Sequence, residues 1–396
     1  MPSTVARFTV LSLACLCFVA WSGTADSSES VAVTGPACFS RPIGVASDYL
    51  NIDEPIAGVA ATADVVFVGA PLDGAVLVFS THTGQQIGTV PPPPEGFAVP
   101  FIMHIVGDGK VTILGAGGLP QPKPFVPANP ILYEYEFSFS PARGFSATLV
   151  REASFASVLV GFAEDFVHLD DGRYLVSDSI LGSIWVLEPD GTVSPGIVPK
   201  SFAPSDALPL LAICPTMPEV TVNGYPFLFS GSTNPGVEPL AVRNGQVYYF
   251  SPCARGIYTF PLDVLTDNRQ PYERASSISL VAPTPPDVQV EELLDFTFNP
   301  YDPLDMHLYA AHALALDVIR VDVRTGEREV LASGPALFDF PSALSFLPPE
   351  LGTPQIVVAS NQQERSPITN DAVTENTFTL PFIVARVSIP RNQSQH

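Results

Sequence analysis

The chain has 396 residues, with 40 acidic against 18 basic side chains and a net charge of −22. An excess of negative charge without any basic run repels nucleic acids and anionic membrane surfaces, so neither is expected as a partner. Beyond the amino terminus, every apolar run is broken by Gly, Pro, Asp or Asn before it reaches the roughly 20 residues that a membrane helix needs. No membrane span is therefore expected.

The chain begins with the features of a secretory signal peptide. Arg7 supplies a positive charge, an apolar run extends from Phe8 to Trp21, and small residues follow up to Ala25. This pattern predicts a signal peptide at residues 1–25. Because no later segment has the composition of a linker, residues 26–396 are predicted to form a single domain. We expect the mature protein to be secreted or to act in the secretory pathway.

Cysteine usage and one glycosylation motif agree with that route. Outside the predicted signal peptide the chain keeps three cysteines, Cys38, Cys214 and Cys253, so at most one disulfide can form and the sequence leaves its pairing open. There is no CxxC motif and no Cys/His cluster that would indicate zinc. The sequence Asn392-Gln393-Ser394 is an acceptor motif for glycosylation.

Strand signals dominate the rest of the chain. Short β-branched and aromatic runs are separated by Gly, Asn, Asp and the 42 prolines, which are excluded from helix interiors and central strands. The clearest unit has runs at Phe162 to Leu169, Tyr174 to Asp178 and Ser183 to Leu187, with an Asp171-Gly172 turn between the first two. This order of strands and tight turns is typical of a propeller blade.

Six copies of this unit are found. Their first strands begin, in chain order, at Ile56, Phe101, Phe162, Leu240, Phe296 and Ser342. Uneven spacing comes from Pro-rich insertions at Pro91 to Pro94, Pro120 to Pro130 and Ala203 to Tyr225, which could roof a central channel. We therefore predict an all-β fold, a six-bladed β-propeller of four-stranded antiparallel blades. A seven-bladed ring or a pair of β-sandwiches remains the alternative.

Three segments resemble the SMP-30/gluconolactonase superfamily of six-bladed propellers. They are Asp170 to Asp178 followed by Gly182-Ser183-Ile184-Trp185, Gly236 to Tyr249, and Leu294-Asp295-Phe296. The resemblance implies a divalent cation, Ca²⁺ or Zn²⁺, held in the channel of a lactone or ester hydrolase. Mapped by blade position, the metal ligands that it implies are Glu54, Asp165, Glu238 and Asp295, with Asp178 and His312 at the ends of second strands. Asp165, Glu238 and Asp295 are expected at equivalent points of three blades.

One difference from the family pattern weakens the hypothesis of a metal site. Where the family has the ligand Asn of an Asn-Gly pair, this chain has Glu238-Pro239, and Glu164 precedes Asp165. Several carboxylates crowded in one channel would raise one another's pKa values. Asp178, at the end of a second strand, has an alternative role as a turn cap.

A narrower resemblance concerns secreted fungal propellers of this superfamily that act as hetero-Diels-Alderases in tropolone-sesquiterpenoid pathways. The phrases that match are Ser177-Asp178…Gly182…Ile184-Trp185 and Val242-Arg243…Gly245…Val247-Tyr248. Such an enzyme joins a tropolone quinone methide to a terpene such as humulene. It needs an apolar pocket that holds both reactants in attack geometry and a hydrogen-bond donor to a carbonyl group.

The leading hypothesis is therefore a cyclase of secondary metabolism that needs no cofactor and acts on apolar small molecules. Its candidate catalytic residues, as pocket wall or donor, are His104, Glu238, Tyr248, Tyr249 and His312. The absence of a phosphate-binding Gly-rich loop, a G-x-S-x-G elbow and a paired-His helix argues against nucleotide cofactors, serine hydrolysis and zincin chemistry. The alternatives are the metal-dependent hydrolase and a propeller that binds a partner without catalysis.

Overall fold

The protein is described by a computed structural model covering residues 42–118, 128–199, 217–229 and 236–390. The predicted signal peptide at residues 1–25, Cys38, Cys214 and the motif at Asn392 lie outside the described residues. So do parts of the insertions predicted at 120–130 and 203–225. Cys253 is disulfide-bonded.

The first half of the described chain forms one outer strand and three blades. The opening strand is β1 (Val45–Ile52). Blade 1 consists of β2 (Val59–Ala61), β3 (Val65–Ala70), β4 (Ala75–Ser80) and β5 (Gln86–Thr89). Blade 2 consists of β6 (Pro100–Gly107), β7 (Lys110–Gly115), β8 (Ile131–Ser140) and β9 (Gly144–Ser154). Blade 3 consists of β10 (Ala163–His168), β11 (Tyr174–Asp178), β12 (Ser183–Leu187) and β13 (Val193–Ile197).

The second half adds a hairpin and three more blades. The hairpin, β14 (Val220–Val222) and β15 (Tyr225–Phe227), is a separate two-stranded sheet. Blade 4 consists of β16 (Leu240–Arg243), β17 (Gln246–Ser251), β18 (Gly256–Pro261) and β19 (Ser279–Pro283). Blade 5 consists of β20 (Leu293–Phe298), β21 (His307–His312), β22 (Asp317–Asp322) and β23 (Arg328–Ser333). Blade 6 consists of β24 (Pro341–Leu347), β25 (Gln355–Ser360), β26 (Phe382–Ser388) and β1.

The ring is closed by strands from both ends of the described chain. The inner strands β2, β6, β10, β16, β20 and β24 follow one another around the centre, and β2 contacts β24. On the outside of blade 6, β1 pairs with β26 from Val45–Ser388 to Ile52–Phe382. Closure by two distant segments leaves no free inner edge in the ring. The predicted all-β, six-bladed propeller of four-stranded antiparallel blades is confirmed.

Tight turns fix the register of the blades, as the sequence predicted. The turn between β10 and β11 contains Gly172 with a φ of 85°, and the turn between β16 and β17 contains Asn244 and Gly245 with φ of 52° and 72°. Left-handed backbone of this kind favours glycine and asparagine, which explains why these dipeptides mark the hairpins. The predicted second and third strands of blade 3, Tyr174 to Asp178 and Ser183 to Leu187, match β11 and β12.

The core lies between blades, where the faces of neighbouring sheets pack together. Tyr249 and Phe260 are fully buried between blades 3 and 4, and Phe296 is buried between blades 4 and 5. Each such side chain contributes about 1.5–3 kcal/mol by leaving water. At the centre the strands approach closely: a Cβ added to Gly58 would lie 2.5 Å from the carbonyl oxygen of Phe101 in the next blade.

Helical structure is confined to short turns in the part of the chain that the structure describes. The 3₁₀ helices there are Leu262–Thr266, Arg274–Ser277, Pro349–Leu351 and Gln363–Arg365. None of the described helices has the length and apolar character needed to cross a membrane. Two additions stand apart from the blades: the hairpin β14–β15 and the segment 361–381 between β25 and β26.

Candidate functional site

A recurring irregularity at the start of the inner strands places side chains at the mouth of the channel. In blades 2, 3, 5 and 6 the pairing register shifts there, and the inner strand bulges. In blades 1 and 4 the equivalent position lies two residues before the first paired residue of the inner strand, which is Val59 in blade 1 and Leu240 in blade 4. These six bulge positions are Ala57, Phe101, Glu164, Glu238, Leu294 and Ser342. Bulges often re-aim a side chain beside a functional site.

A cavity of about 860 Å³, including its open mouth, lies over these positions. Five of the six bulge residues line it: Ala57, Phe101, Glu164, Glu238 and Leu294. Much of the remaining wall is apolar and includes Pro55, Ile56, Phe162, Phe229, Ile368 and Phe378. The rings of Phe101 and Phe162 pack edge to face with centroids 5.3 Å apart. Concave, mostly apolar sites with a few polar groups suit small organic ligands.

Two carboxyl groups open into this apolar space. Glu164 is 6 % exposed, and its Oε2 accepts a hydrogen bond from the Ser179 hydroxyl at 3.3 Å. Glu238 is 3 % exposed, and its carboxyl group interacts with that of Glu292. Burial and the charge of Glu238 raise the pKa of Glu164 well above its usual range. Burial and the charge of Glu292 do the same for the pKa of Glu238.

Glu292 lies behind Glu238, at the entrance to blade 5. It is fully buried, and its carboxyl group interacts with that of Glu238. Burial is the main cause that raises the pKa of Glu292, to about 8. The raised pKa values favour the protonated form of these buried carboxyls, and a protonated carboxyl donates a hydrogen bond as well as accepting them.

A second polar group consists of His104, Asp165 and Asp295. Each of the two aspartates follows the bulge position of its blade by one residue. The Nε2 of His104 lies 3.0 Å from Asp165 Oδ1, and the His104 ring packs against Phe166. Burial lowers the pKa of His104, but the hydrogen bond to Asp165 and the charges of Asp165 and Asp295 outweigh it and raise the pKa. Burial and the charge of Asp165 raise the pKa of Asp295 to about 7.

Asp165 and Asp295 connect blades. The Asp165 Oδ2 accepts the amide hydrogen of Leu240 at 2.7 Å, and the Asp295 Oδ2 accepts that of Leu344 at 2.7 Å. The expectation that Glu238 is equivalent to these two aspartates is wrong by one residue, because Pro239 occupies that position. The extra residue of each bulge shifts the alignment, and sequence spacing does not show it.

The other predicted residues lie away from the cavity wall. Tyr248 packs on Phe298 between blades 4 and 5, and Tyr249 stacks on Tyr258 between blades 3 and 4. His312 is buried, with its Nδ1 3.0 Å from Asp317 Oδ1 across the β21–β22 hairpin. All three contribute to packing within or between blades, so of the five predicted catalytic residues only Glu238 lines the cavity.

Asp178 caps a turn, as the alternative interpretation predicted. Its carboxylate accepts hydrogen bonds from the backbone amides of Gly161, Phe162, Ile180 and Leu181 at 2.8–3.2 Å. Burial nevertheless raises its pKa to about 6. The role is structural.

The four carboxylates expected as metal ligands do not fit a cation site. Within the described residues, no group of three or more His, Cys, Asp or Glu side chains is arranged to hold a metal ion. Both oxygens of Asp165 already accept hydrogen bonds. Glu54 interacts with Asp73 near the rim, and the hydrogen bond between them, with burial, raises the pKa of Glu54 to about 7. Asp165 and Glu54 are therefore engaged in contacts within the protein.

Several cavity residues were not predicted from the sequence. Glu164 was visible beside Asp165, but nothing marked it as the residue that faces the channel. Glu292, behind the cavity wall, follows Glu291, and such an acidic pair is typical of a solvated loop. Phe229 and Phe378 come from segments outside the repeat, so blade periodicity gives no signal for them.

Comparison with known proteins supports the fold. No family model and no curated protein matches this sequence. Among similar solved structures, a putative gluconolactonase is 13 % identical with a TM-score of 0.50, covering 88 % of this chain and 93 % of its own. A luciferin-regenerating enzyme is 12 % identical with a TM-score of 0.50, covering 87 % of this chain and 95 % of its own. A Bacteroides thetaiotaomicron protein of unknown function is 12 % identical with a TM-score of 0.52, covering 87 % and 75 %. A Xanthomonas campestris gluconolactonase is 10 % identical with a TM-score of 0.48, covering 88 % and 90 %.

Proposed function

We propose that this protein is an enzyme that binds uncharged, largely apolar small molecules in the channel cavity and catalyses their cyclisation without a cofactor. The observation that carries the proposal is the cavity itself: an apolar wall rich in aromatic rings that has the buried carboxylic residues Glu164 and Glu238 among its lining residues. Among the described residues that line it there is no Lys or Arg, so anionic substrates are disfavoured.

The reaction we propose is an intermolecular hetero-Diels-Alder cycloaddition between a tropolone quinone methide and a terpene such as humulene. The quinone methide contributes its exocyclic carbon and its carbonyl oxygen, and the alkene contributes two carbons. One C–C bond and one C–O bond form in a single ring closure, three π bonds become one, and no atom leaves. The step needs no external oxidant or reductant.

Two features of the site support catalysis of this step. Holding both reactants against the Phe101 and Phe162 rings replaces a bimolecular encounter with an oriented pair, and such orientation contributes up to about 7–11 kcal/mol in favourable cases. The protonated Glu238 carboxyl donates a hydrogen bond to the quinone methide oxygen, which withdraws electron density as charge develops there. The proton stays with Glu238 when the C–O bond has formed.

The amino-terminal pattern bears on where the protein acts. We propose that the chain enters the secretory pathway through residues 1–25 and works there or outside the cell. An apolar terpene and a tropolone-derived partner are uncharged and cross membranes, so both can reach such a site.

The test is turnover with defined reactants. Purified protein is mixed with humulene and a tropolone quinone methide generated in situ, and adducts are resolved by chiral chromatography with mass detection. The proposal expects acceleration over the buffer reaction and one dominant stereoisomer. Glu238→Ala should lower the rate by about tenfold to a hundredfold. Glu238→Gln, which keeps an N–H donor, should lower it less.

A variant outside the cavity controls for general damage. Glu329→Gln lies on β23, where the native carboxylate pairs with Arg320 at 2.6 Å, and it should leave the rate unchanged. An adduct that forms no faster than in buffer contradicts the cyclase. Binding of humulene without acceleration would instead identify a non-catalytic binding propeller.

A further inference from the structure

Two segments that belong to no blade cover the cavity together. The first is the chain 217–229, which contains the hairpin β14–β15 and places Phe229 in the cavity wall. The second is the chain 361–379, which contributes Ile368, Thr369 and Phe378. They are about 140 residues apart in the sequence, yet Phe229 forms a β-bridge with Asn370. We call the two segments the roof.

Asn370 connects the two halves of the roof. It is fully buried. Its side-chain NH₂ donates to the carbonyl oxygens of Pro226 at 2.8 Å and Glu364 at 2.6 Å. Its Oδ1 accepts from the amides of Leu228 and Ala372, each at 2.9 Å. Every donor and acceptor of this amide is satisfied by backbone, with one donor and one acceptor contact to each segment.

A second contact reinforces the first. The Arg365 guanidinium lies over the Tyr225 ring, 4.7 Å from its centroid. Asp339 accepts hydrogen bonds from Arg365 at 2.5 Å and from Asn223 at 2.6 Å, so it holds one residue of each segment. These interactions lie away from the cavity and leave its apolar face free.

Phe229 is fixed in orientation by the hairpin. Its ring packs edge to face on Phe227, with centroids 4.9 Å apart. Phe227 in turn packs on Phe340 at 5.3 Å, in a cluster of buried apolar side chains. Because Phe227 is anchored there and Asn370 holds the adjoining backbone, Phe229 has little freedom to move aside for a larger ligand.

We propose that the two segments act as one roof, that Asn370 is its positioning residue, and that Phe229 determines which ligands fit the cavity. The bulge residues build the floor from strands that the ring requires, whereas the roof is free to differ without altering any blade. The proposed role of Phe229 in ligand choice rests on the proposed function of the cavity. The coupling of the two segments through Asn370 does not depend on that function.

The coupling is tested in the free protein by hydrogen exchange with mass detection. Asn370→Ala should increase amide exchange in 217–229 and 361–379 together, because Asn370 bonds to both, while the blades keep their protection. Asn51→Ala is the control, since Asn51 is exposed and its side chain bonds only Asp48. Should Asn370→Ala fail to fold, Asn370→Asp serves, because a carboxylate cannot donate to Pro226 or Glu364. Faster exchange in 361–379 alone overturns the single roof.

The role of Phe229 is tested with two neutral fluorescent naphthyl ketones, prodan with a short acyl chain and laurdan with a long one. Phe229→Ala should weaken prodan binding by about tenfold and shift the preference towards laurdan. Phe139→Ala, in the β8–β9 hairpin, should leave the ratio unchanged. An unaltered ratio in Phe229→Ala overturns its role in specificity. Binding of neither dye by the wild type contradicts the proposed ligand class, and hydrogen exchange alone then decides the roof.

Discussion

Asp165 and Asp295 occupy the same position in blades 3 and 5, and each carboxylate accepts the amide hydrogen of the following blade's inner strand at 2.7 Å. They differ in their second oxygen. The Asp165 Oδ1 accepts from the Phe166 amide at 2.7 Å and meets the His104 side chain, whereas Asp295 interacts with the Leu344 and Phe296 amides and has no side-chain hydrogen-bond partner within the described chain. The same residue type in the same place therefore faces a histidine in one blade and only backbone donors in the other.

This difference predicts unequal effects of an isosteric change. In Asp165→Asn, the new side-chain NH₂ must face a backbone N–H donor that the carboxylate accepted. We therefore expect a loss of about 3 kcal/mol in the free energy of unfolding. In Asp295→Asn, the oxygen can keep Leu344, and the neutral amide resembles the protonated carboxyl that a pKa of about 7 favours, so the loss should stay below about 1 kcal/mol. Urea unfolding of both variants measures this, and equal losses would refute the assignment.

The buried carboxyls predict that stability falls as pH rises. The pKa of Asp295 is raised to about 7 and that of Glu292 to about 8, so the folded state holds protons that the unfolded chain releases near pH 4. Their stabilising effect is complete at low pH and is lost progressively up to about pH 8. The raised pKa of His104 acts in the same direction above its unfolded value. The melting temperature should therefore be higher at pH 5 than at pH 8.

A variant separates this effect from surface repulsion. Glu292→Gln removes a buried titrating group and should flatten the decline in melting temperature between pH 5 and pH 8. High salt should not flatten it to the same extent, because salt screens exposed charges more than buried ones. A slope that salt abolishes and Glu292→Gln leaves intact would show that net charge is the cause.

Metal addition and removal give a third prediction. A cation bound to the folded state at a hundred times its Kd would add about 2.7 kcal/mol and raise the melting temperature. Because the described carboxyls form no ligand set, we expect neither EDTA nor millimolar calcium to change the melting temperature. Stoichiometric metal in the purified protein, lost with a lower melting temperature on chelation, would support the hydrolase instead.

The amino terminus gives a fourth prediction. Expressed in a secretory host, the mature protein should begin after Ala25, which intact-mass measurement and amino-terminal sequencing would establish. Retention of residues 1–25 in the secreted protein, or failure to secrete it, would contradict the signal peptide. A variant in which charged residues replace part of the run from Phe8 to Trp21 should remain in the cell.

The sequence by itself determined the blades. The turn dipeptide Asp171-Gly172 and the β-branched runs beside it fix strand ends and register locally, so β11 and β12 could be predicted to the residue. Only the tertiary structure decided the site. In blade 3, whether a residue of the inner strand faces the channel depends on a bulge, which directs Glu164 into the cavity and leaves Asp165 between blades. In blade 4, Glu238 lies two residues before the first paired residue, Leu240. Tyr248 and Tyr249 have the composition of a pocket wall, but strand alternation places them in interblade cores. The roof depends on a contact between Phe229 and Asn370, about 140 residues apart in the chain, and no local pattern encodes such a contact.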